Sequence, residues 1–224
     1  MFSSCDFSST APLLPIQSDD RSIRDHIIPL PRKKCHYWQK KGSKAEDEKL
    51  RTGGDLVYDF FIGIRLPKEL EEVCEGYRRA FRAPRTVAHI TVIAPFAWEE
   101  GAETLQELLK EALQPLAPFR ISGSGLGSFG TRVLFVNVDL TSELEQLHRA
   151  LARQLRQAGV KVDRRPYHPH ITLATRLTPG QFARYQRELE GFAPDYSFRC
   201  DAISLFEFTV DGRWREQTKI GLNG

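Results

Sequence analysis

Long hydrophobic runs, paired cysteines and net charge in the body of the chain are all missing from this sequence. No stretch approaches the 18 or more apolar residues of a membrane span, and the mean hydropathy is mildly negative. The N-terminus, MFSSCDFSSTAPLLPIQSDD, lacks the basic start of a secretory leader, and prolines break its apolar run. The four cysteines, Cys5, Cys35, Cys74 and Cys200, include no CxxC pair. Their even number is weak ground for disulfides in a chain of this length. Cys74 falls in a helical pattern and Cys200 in a strand pattern, so both are expected as buried free thiols in a reducing, cytoplasmic setting. No GxSxG is present for a serine nucleophile. The glycine-rich GSGLGSFG does not open a helix after a strand, so it makes a poor phosphate loop.

Charge is divided unevenly. Residues 1–54 hold ten Lys and Arg against seven Asp and Glu, the whole of the +3, and residues 55–224 hold twenty-two of each. A protein that grips a long duplex usually shows a basic stripe. A balanced body points instead to phosphate held locally, in a small site. Residues 1–54, which include PLPRKKCHYWQKKGSKAEDEKLRTGG, have no long periodicity and read as a disordered or loosely packed extension. Lys and Arg flank Tyr37 and Trp38 there, but a solvated basic tail is preferred over an RNA contact.

Order is expected from DLVYDFFIGIRLP, a strand in which Val57, Phe61 and Ile62 fit and which Pro67 ends. KELEEVCEGYRRAFR places Leu70, Val73, Cys74, Tyr77 and Phe81 at helical spacing. A strand AHITVIAPF, a helix in GAETLQELLKEALQPL, and a strand FRIS running into the glycine-rich turn follow. Then the order restarts: strand RVLFVNVDL, a helix at 142–159 with Ser142 as N-cap and Gly159 at its end, strand HITLATRL, and a helix at 178–191. His148, among charged neighbours in the third helix, reads as a surface residue. The chain closes with two strands around a turn at Asp211-Gly212. From Leu56 to His89 is 33 residues, and from Arg132 to His170 is 38. That is a duplicated architecture. It predicts an α+β fold of two similar lobes, about 55–128 and 129–224, related by a pseudo-two-fold around a central cleft. Exchange of strands between the lobes is left open.

Each half carries the same three letters, His89-Ile90-Thr91 and His170-Ile171-Thr172, with an apolar run after them. On a strand, i and i+2 share a face. His89 therefore points with Thr91 and His170 with Thr172, while Ile90, Val92, Ile171 and Leu173 point into a core. Two imidazoles and two hydroxyls facing one volume suit phosphoryl chemistry. One neutral imidazole takes a proton and one protonated imidazole gives one, near neutral pH. The hydroxyls donate to nonbridging oxygens as charge builds. A zinc site on His168, His170 and His89 is the alternative, and it is disfavoured because no Asp, Glu or Cys shares a close motif with them.

HITV at 89–92 and HITL at 170–173, with PHITLA around the second and an opening strand like YDFFIGIRLP, resemble the paired His-x-Thr/Ser-x tetrads of the two-histidine phosphoesterase superfamily. That superfamily includes the RNA 2′,3′-cyclic phosphodiesterases first called bacterial 2′-5′ RNA ligases. The resemblance covers about residues 55–220. It implies two α+β lobes about a pseudo-two-fold with the catalytic cleft between them, no metal or other cofactor, and a substrate carrying a cyclic or 2′-5′ phosphodiester. His89, Thr91, His170 and Thr172 take the catalytic positions. RNA-acting members often continue the second tetrad as HxTLAR. Here Thr175 stands at the arginine's place and Arg176 comes one later, on the parity of His170 and Thr172, so that an unbroken strand would aim it into the cleft. Weaker substrate-binding candidates are Phe96 as a wall for a base, though core packing is preferred for it, Arg132 and Arg85 at the rim, and Tyr167 and His168 as stacking groups.

The expected function is hydrolysis of a 2′,3′-cyclic phosphate, on an RNA end or a nucleotide, to a 2′-phosphate, with ligation as the reverse chemistry. The rivals are a phosphoesterase for another nucleotide or small metabolite, and an RNA-binding module without turnover. The partner is an RNA with a cyclic phosphate end or a small cyclic nucleotide. No membrane, metal or obligate protein partner is expected, and the chain should be a monomer. Because the duplicated pattern begins only at Leu56, deleting residues 1–54 should leave the thermal melt and the turnover of a small cyclic nucleotide intact. A truncated protein that fails to fold would refute the boundary.

Overall fold

The computed structural model describes residues 59–82 and 86–223. The N-terminal extension lies outside them, as do Leu56, Val57 and Arg85. Thirteen elements follow in order: β1 (Phe60–Arg65), α1 (Lys68–Ala80), β2 (His89–Phe96), α2 (Ala102–Leu113), β3 (Phe119–Ser124), β4 (Leu126–Phe129), β5 (Val133–Asn137), α3 (Ser142–Gln157), β6 (His170–Thr175), α4 (Pro179–Glu188), β7 (Asp195–Cys200), β8 (Ala202–Phe208) and β9 (Trp214–Gly221).

The expected α+β duplication is present. Seven strands run in the order β4-β5-β6-β2-β1-β8-β9, every neighbour antiparallel, and β3 pairs with β7 in a separate ribbon. The histidine strands β2 and β6 stand at the centre. Exchanging β2 with β6, β1 with β5 and β8 with β4 reproduces the order of those six strands, which is the pseudo-two-fold, and β9 is added at one edge. All four helices bury their apolar stripe in one core. In α3 the stripe is Leu144, Leu147, Leu151 and Leu155, all fully buried, and each such leucine stabilises the fold by about 2 kcal/mol. Cys74 and Cys200 are buried free thiols in the same core, and burial holds them at about 11 and about 12.

Three local expectations are corrected. The glycine-rich segment is two strands rather than one strand and a turn. It bends at Gly125, whose φ of +70° suits glycine, and continues as β4 beside β5. A Cβ at Gly127 would overlap the Phe135 ring, so this glycine lets that ring lie against the strand. The C-terminal segment forms three strands, because the chain leaves β7 at Asp201 and pairs β8 with β1. The cap of α3 is Thr141 and not Ser142, its hydroxyl accepting from the Leu144 amide.

The helices cross between halves: α1 packs on β6 and α3 on β2. Arg78 of α1, 3% exposed, uses this crossing. Its Nη1 donates to the Thr172 carbonyl and its Nη2 to the Thr86 carbonyl, both at 2.6 Å. Its Nε donates to Glu75 at 3.0 Å, and the Glu75 carboxylate accepts the Ala88 amide as well. A buried arginine and its half-buried carboxylate partner thus hold the approach to His89 and the middle of the second motif. A buried charge left without its partner is costly. Arg78→Ala should therefore lose about 3 kcal/mol of stability in urea unfolding, far more than Arg153→Ala on the exposed face of α3. Equal losses would show that the pair does not organise the centre.

Candidate active site

β2 and β6 pair directly at one position, Ile90 opposite Ile171, both fully buried. Since these two face the core, their neighbours face the other way. His89, Thr91, His170 and Thr172 therefore come together on the opposite side of the sheet, each histidine towards the other half's threonine. Both strands carry an extra residue just after the threonine. Gly63 pairs with Thr91 and Ile62 with Ile93, so Val92 is unmatched; Phe135 pairs with Thr172 and Leu134 with Ala174, so Leu173 is unmatched. Such β-bulges re-aim the side chains that follow.

The two imidazoles are held alike. Nδ1 of His89 lies 2.7 Å from the Val87 carbonyl, and Nδ1 of His170 lies 2.8 Å from the His168 carbonyl. A carbonyl only accepts, so each Nδ1 carries a proton, and each Nε2 holds the lone pair of the neutral ring. Nε2 of His89 lies 3.2 Å from the Thr91 hydroxyl, which donates to it. Among the described residues, no such bond joins His170 to Thr172.

Around these rings lies an aromatic floor that sequence reasoning did not identify. Phe61 is 4.8 Å and Phe206 5.5 Å from His89, centre to centre, and Trp214 packs edge-on to Phe61. Phe129 and Phe135 are each 5.0 Å from His170. The signal in the sequence was β1 itself, FFIGIR, where Phe61 stands among the residues that alternate with the core set Phe60, Ile62 and Ile64, so that an aromatic ring falls on the second face as well. Arg65, opposite His89, is also on this side. It is held by Glu71 of α1 and by Glu216 of β9, which accepts from the buried Ser204 hydroxyl too.

Both histidines are driven towards the neutral form. Their rings meet solvent only in part, and burial lowers each to about 4. For His89 the bond to Val87 opposes this, while Arg78, His170 and Arg65 reinforce it. For His170 the bond to the His168 carbonyl opposes it and the His168 ring adds to it. Two imidazoles that repel one another's charge titrate as a pair.

Phe96 takes the preferred core position, and the other described weaker candidates fall away from the substrate-binding places considered for them. Phe96 is in the core against Phe60, not on the histidine side. Arg176 is exposed, with φ of +59°, because the bulge at Leu173 breaks the strand parity; Thr175, opposite Val133, takes the inward place. Arg132, also exposed, accepts the Leu177 amide at its carbonyl, so it and Arg176 both lie at the far end of β5 and β6. That end is roughly 20 Å along the strand from His170. His168 is exposed and lies edge-on to Phe129. Tyr167 is not free to stack on a base. Its ring lies flat on His148 at 4.2 Å, and its hydroxyl donates to the Thr91 carbonyl at 3.0 Å. His148, expected at the surface, is half-buried by this stack. The zinc alternative has no ligand set: among the described residues no three His, Cys, Asp or Glu cluster to hold an ion. No described helix is long and apolar enough to cross a membrane.

Solved structures share this architecture. Escherichia coli LigT, crystallised with 3′-AMP, superposes with a TM-score of 0.54 at 21% identity, over 75% of this chain and 99% of that one. TT0787 of Thermus thermophilus gives 0.53 at 20% identity, over 74% and 98%. In sequence, the RNA 2′,3′-cyclic phosphodiesterase of Bacillus subtilis is 30% identical over 165 residues, 67% of this chain and 84% of the relative. The family described as the 2′-5′ RNA ligase superfamily matches residues 66–212, a span that takes in both histidine motifs and the bulges that follow them. With paired tetrads on adjacent central strands of a duplicated α+β fold, the chain belongs to the 2′-5′ RNA ligase superfamily of two-histidine phosphoesterases.

Proposed function

We propose that this protein hydrolyses 2′,3′-cyclic phosphates, on RNA ends or on nucleotides, to 2′-phosphates without a metal. The observation that carries the reading is the pair of Nε2 atoms, each left with its lone pair by an Nδ1–H bond to backbone, on one side of adjacent strands. The likeness to the B. subtilis cyclic phosphodiesterase supports it. In the proposed step one neutral imidazole takes a proton from water through Nε2, and the water oxygen bonds to phosphorus. The bond to the 3′ oxygen breaks, and the other imidazole, protonated at Nε2, gives its proton to that oxygen. The Thr172 hydroxyl donates to one nonbridging oxygen, and the Thr91 hydroxyl, whose single proton goes to His89 Nε2 in the free protein, turns to donate to another once the substrate is bound.

Loss of either histidine removes one proton transfer. His89→Ala and His170→Ala should each lower kcat on 2′,3′-cyclic AMP by about 10²–10⁴-fold with the melt preserved. Thr172→Ala should cost about 10-fold. Thr91→Ala should cost about the same, since its single hydroxyl proton serves either His89 or the phosphate but not both at once. Full turnover after loss of either histidine would refute the mechanism, and binding of cyclic-ended RNA without product would favour a non-catalytic module.

The pH dependence follows from the lowered pKa values. In the free protein both rings are neutral above about pH 4, so the base is ready and the acid is not. A bound phosphodiester anion favours imidazolium and raises the acid's pKa. The alkaline limb of kcat, which reports the complex, should therefore lie at higher pH than that of kcat/KM, which reports the free protein. Coincident limbs would contradict this. For folding the sign runs the other way. The unfolded histidines bind protons first, near 6.5, so their contribution to stability is full above that pH and is lost as pH falls towards 4. The melting temperature should drop over that window, and less so in the double variant His89→Gln/His170→Gln.

A further inference from the structure

The two motifs are tied by more than their single backbone pair. Past Ile90 and Ile171 the central strands part, and buried backbone carbonyls there need partners. The Thr172 carbonyl accepts from Arg78, which belongs to the first half. The Thr91 carbonyl accepts from Tyr167, which belongs to the second. The two targets are equivalent under the pseudo-two-fold, each the carbonyl just before a bulged residue. The donors are not equivalent: one is a helix arginine and the other a tyrosine from the segment before β6. Each donor is itself braced, Arg78 by Glu75 and Tyr167 by the ring of His148 on α3, stacked within 4° of parallel.

We propose that Arg78 and Tyr167 form reciprocal latches that set the separation of the two histidines, with Tyr167 and His148 acting together as positioning residues for the reaction. Neither touches the reacting atoms. They act by holding the carbonyl beside each threonine, which fixes how far the strands diverge where the phosphate would sit. A displacement of about 1 Å in such a site can cost about 100-fold in rate. This inference rests on the proposed hydrolysis for its kinetic readout, but not for its structural one.

The test uses the full chain. Tyr167→Phe removes the hydroxyl and keeps the ring. It should lower kcat on 2′,3′-cyclic AMP by about 10- to 100-fold while KM changes by less than about threefold. In NMR titrations both imidazoles, His89 and His170, should move up towards the ordinary histidine value as the strands part and water enters. His148→Ala, which removes the stack, should show the same pattern more weakly, and His148→Phe should restore most of the loss. Wild-type kcat with unmoved titrations in Tyr167→Phe would overturn the proposal. If that variant does not fold, the His148 pair decides: equal effects of Ala and Phe would overturn it, and rescue by Phe would support it. If the wild-type protein turns over no cyclic nucleotide, the functional reading fails, and the two titrations alone test the latch.

Discussion

Among the described residues a single backbone pair joins the two motif strands, Ile90 of β2 opposite Ile171 of β6, and the placement of both His-Ile-Thr motifs depends on it. Two buried isoleucines facing the core oblige the residues before them to face away. In an antiparallel register that single pairing sets both histidines on one side and crosses each with the other's threonine. No ladder at all would leave the two imidazoles unrelated. The bond from Arg78 to the second motif and the bond from Tyr167 to the first supply the order that the backbone gives up there.

The duplication is close in backbone and loose in surroundings. Both motif strands begin with the same burial alternation and bulge at the same place, at Val92 and at Leu173. Both imidazoles donate Nδ1–H to the carbonyl two residues earlier. Their neighbours differ. His89 lies against Phe61 and Phe206, accepts from Thr91 and has Arg65 across the strand; His170 lies against Phe129 and Phe135 and has His168 beside it. Two chemically equal groups thus have different neighbours, while burial lowers both alike to about 4.

The aromatic floor explains why both rings favour the neutral form in the free protein. Phenyl rings offer an imidazolium little of the stabilisation that water would, so the charged form is disfavoured at both positions. An incoming phosphodiester brings the compensating negative charge. In the proposed reaction the substrate itself would complete the acid, and the charge state needed for proton donation would arise only when there is something to protonate.

Much of the site was legible in the chain alone. The repeated His-Ile-Thr, the two-residue period of a strand and the restarted order of elements are local facts, and they suffice to predict the duplicated fold and to nominate the two histidines. What failed locally failed for a definite reason. Arg176 was aimed inward by counting alternate residues, and a bulge, invisible in the letters, shifts the count by one. Tyr167 and His148 read as a loose aromatic and a surface histidine because the segment before β6 and α3 are only neighbours in space. Phe61, Phe206, Phe129 and Phe135 were ordinary strand residues until the sheet order set them around two rings drawn from distant segments. The sequence by itself determined which groups could do the chemistry, because that depends on residue type and period. The tertiary structure decided what surrounds them and how far apart they stand, because those depend on pairings between residues far apart in the chain.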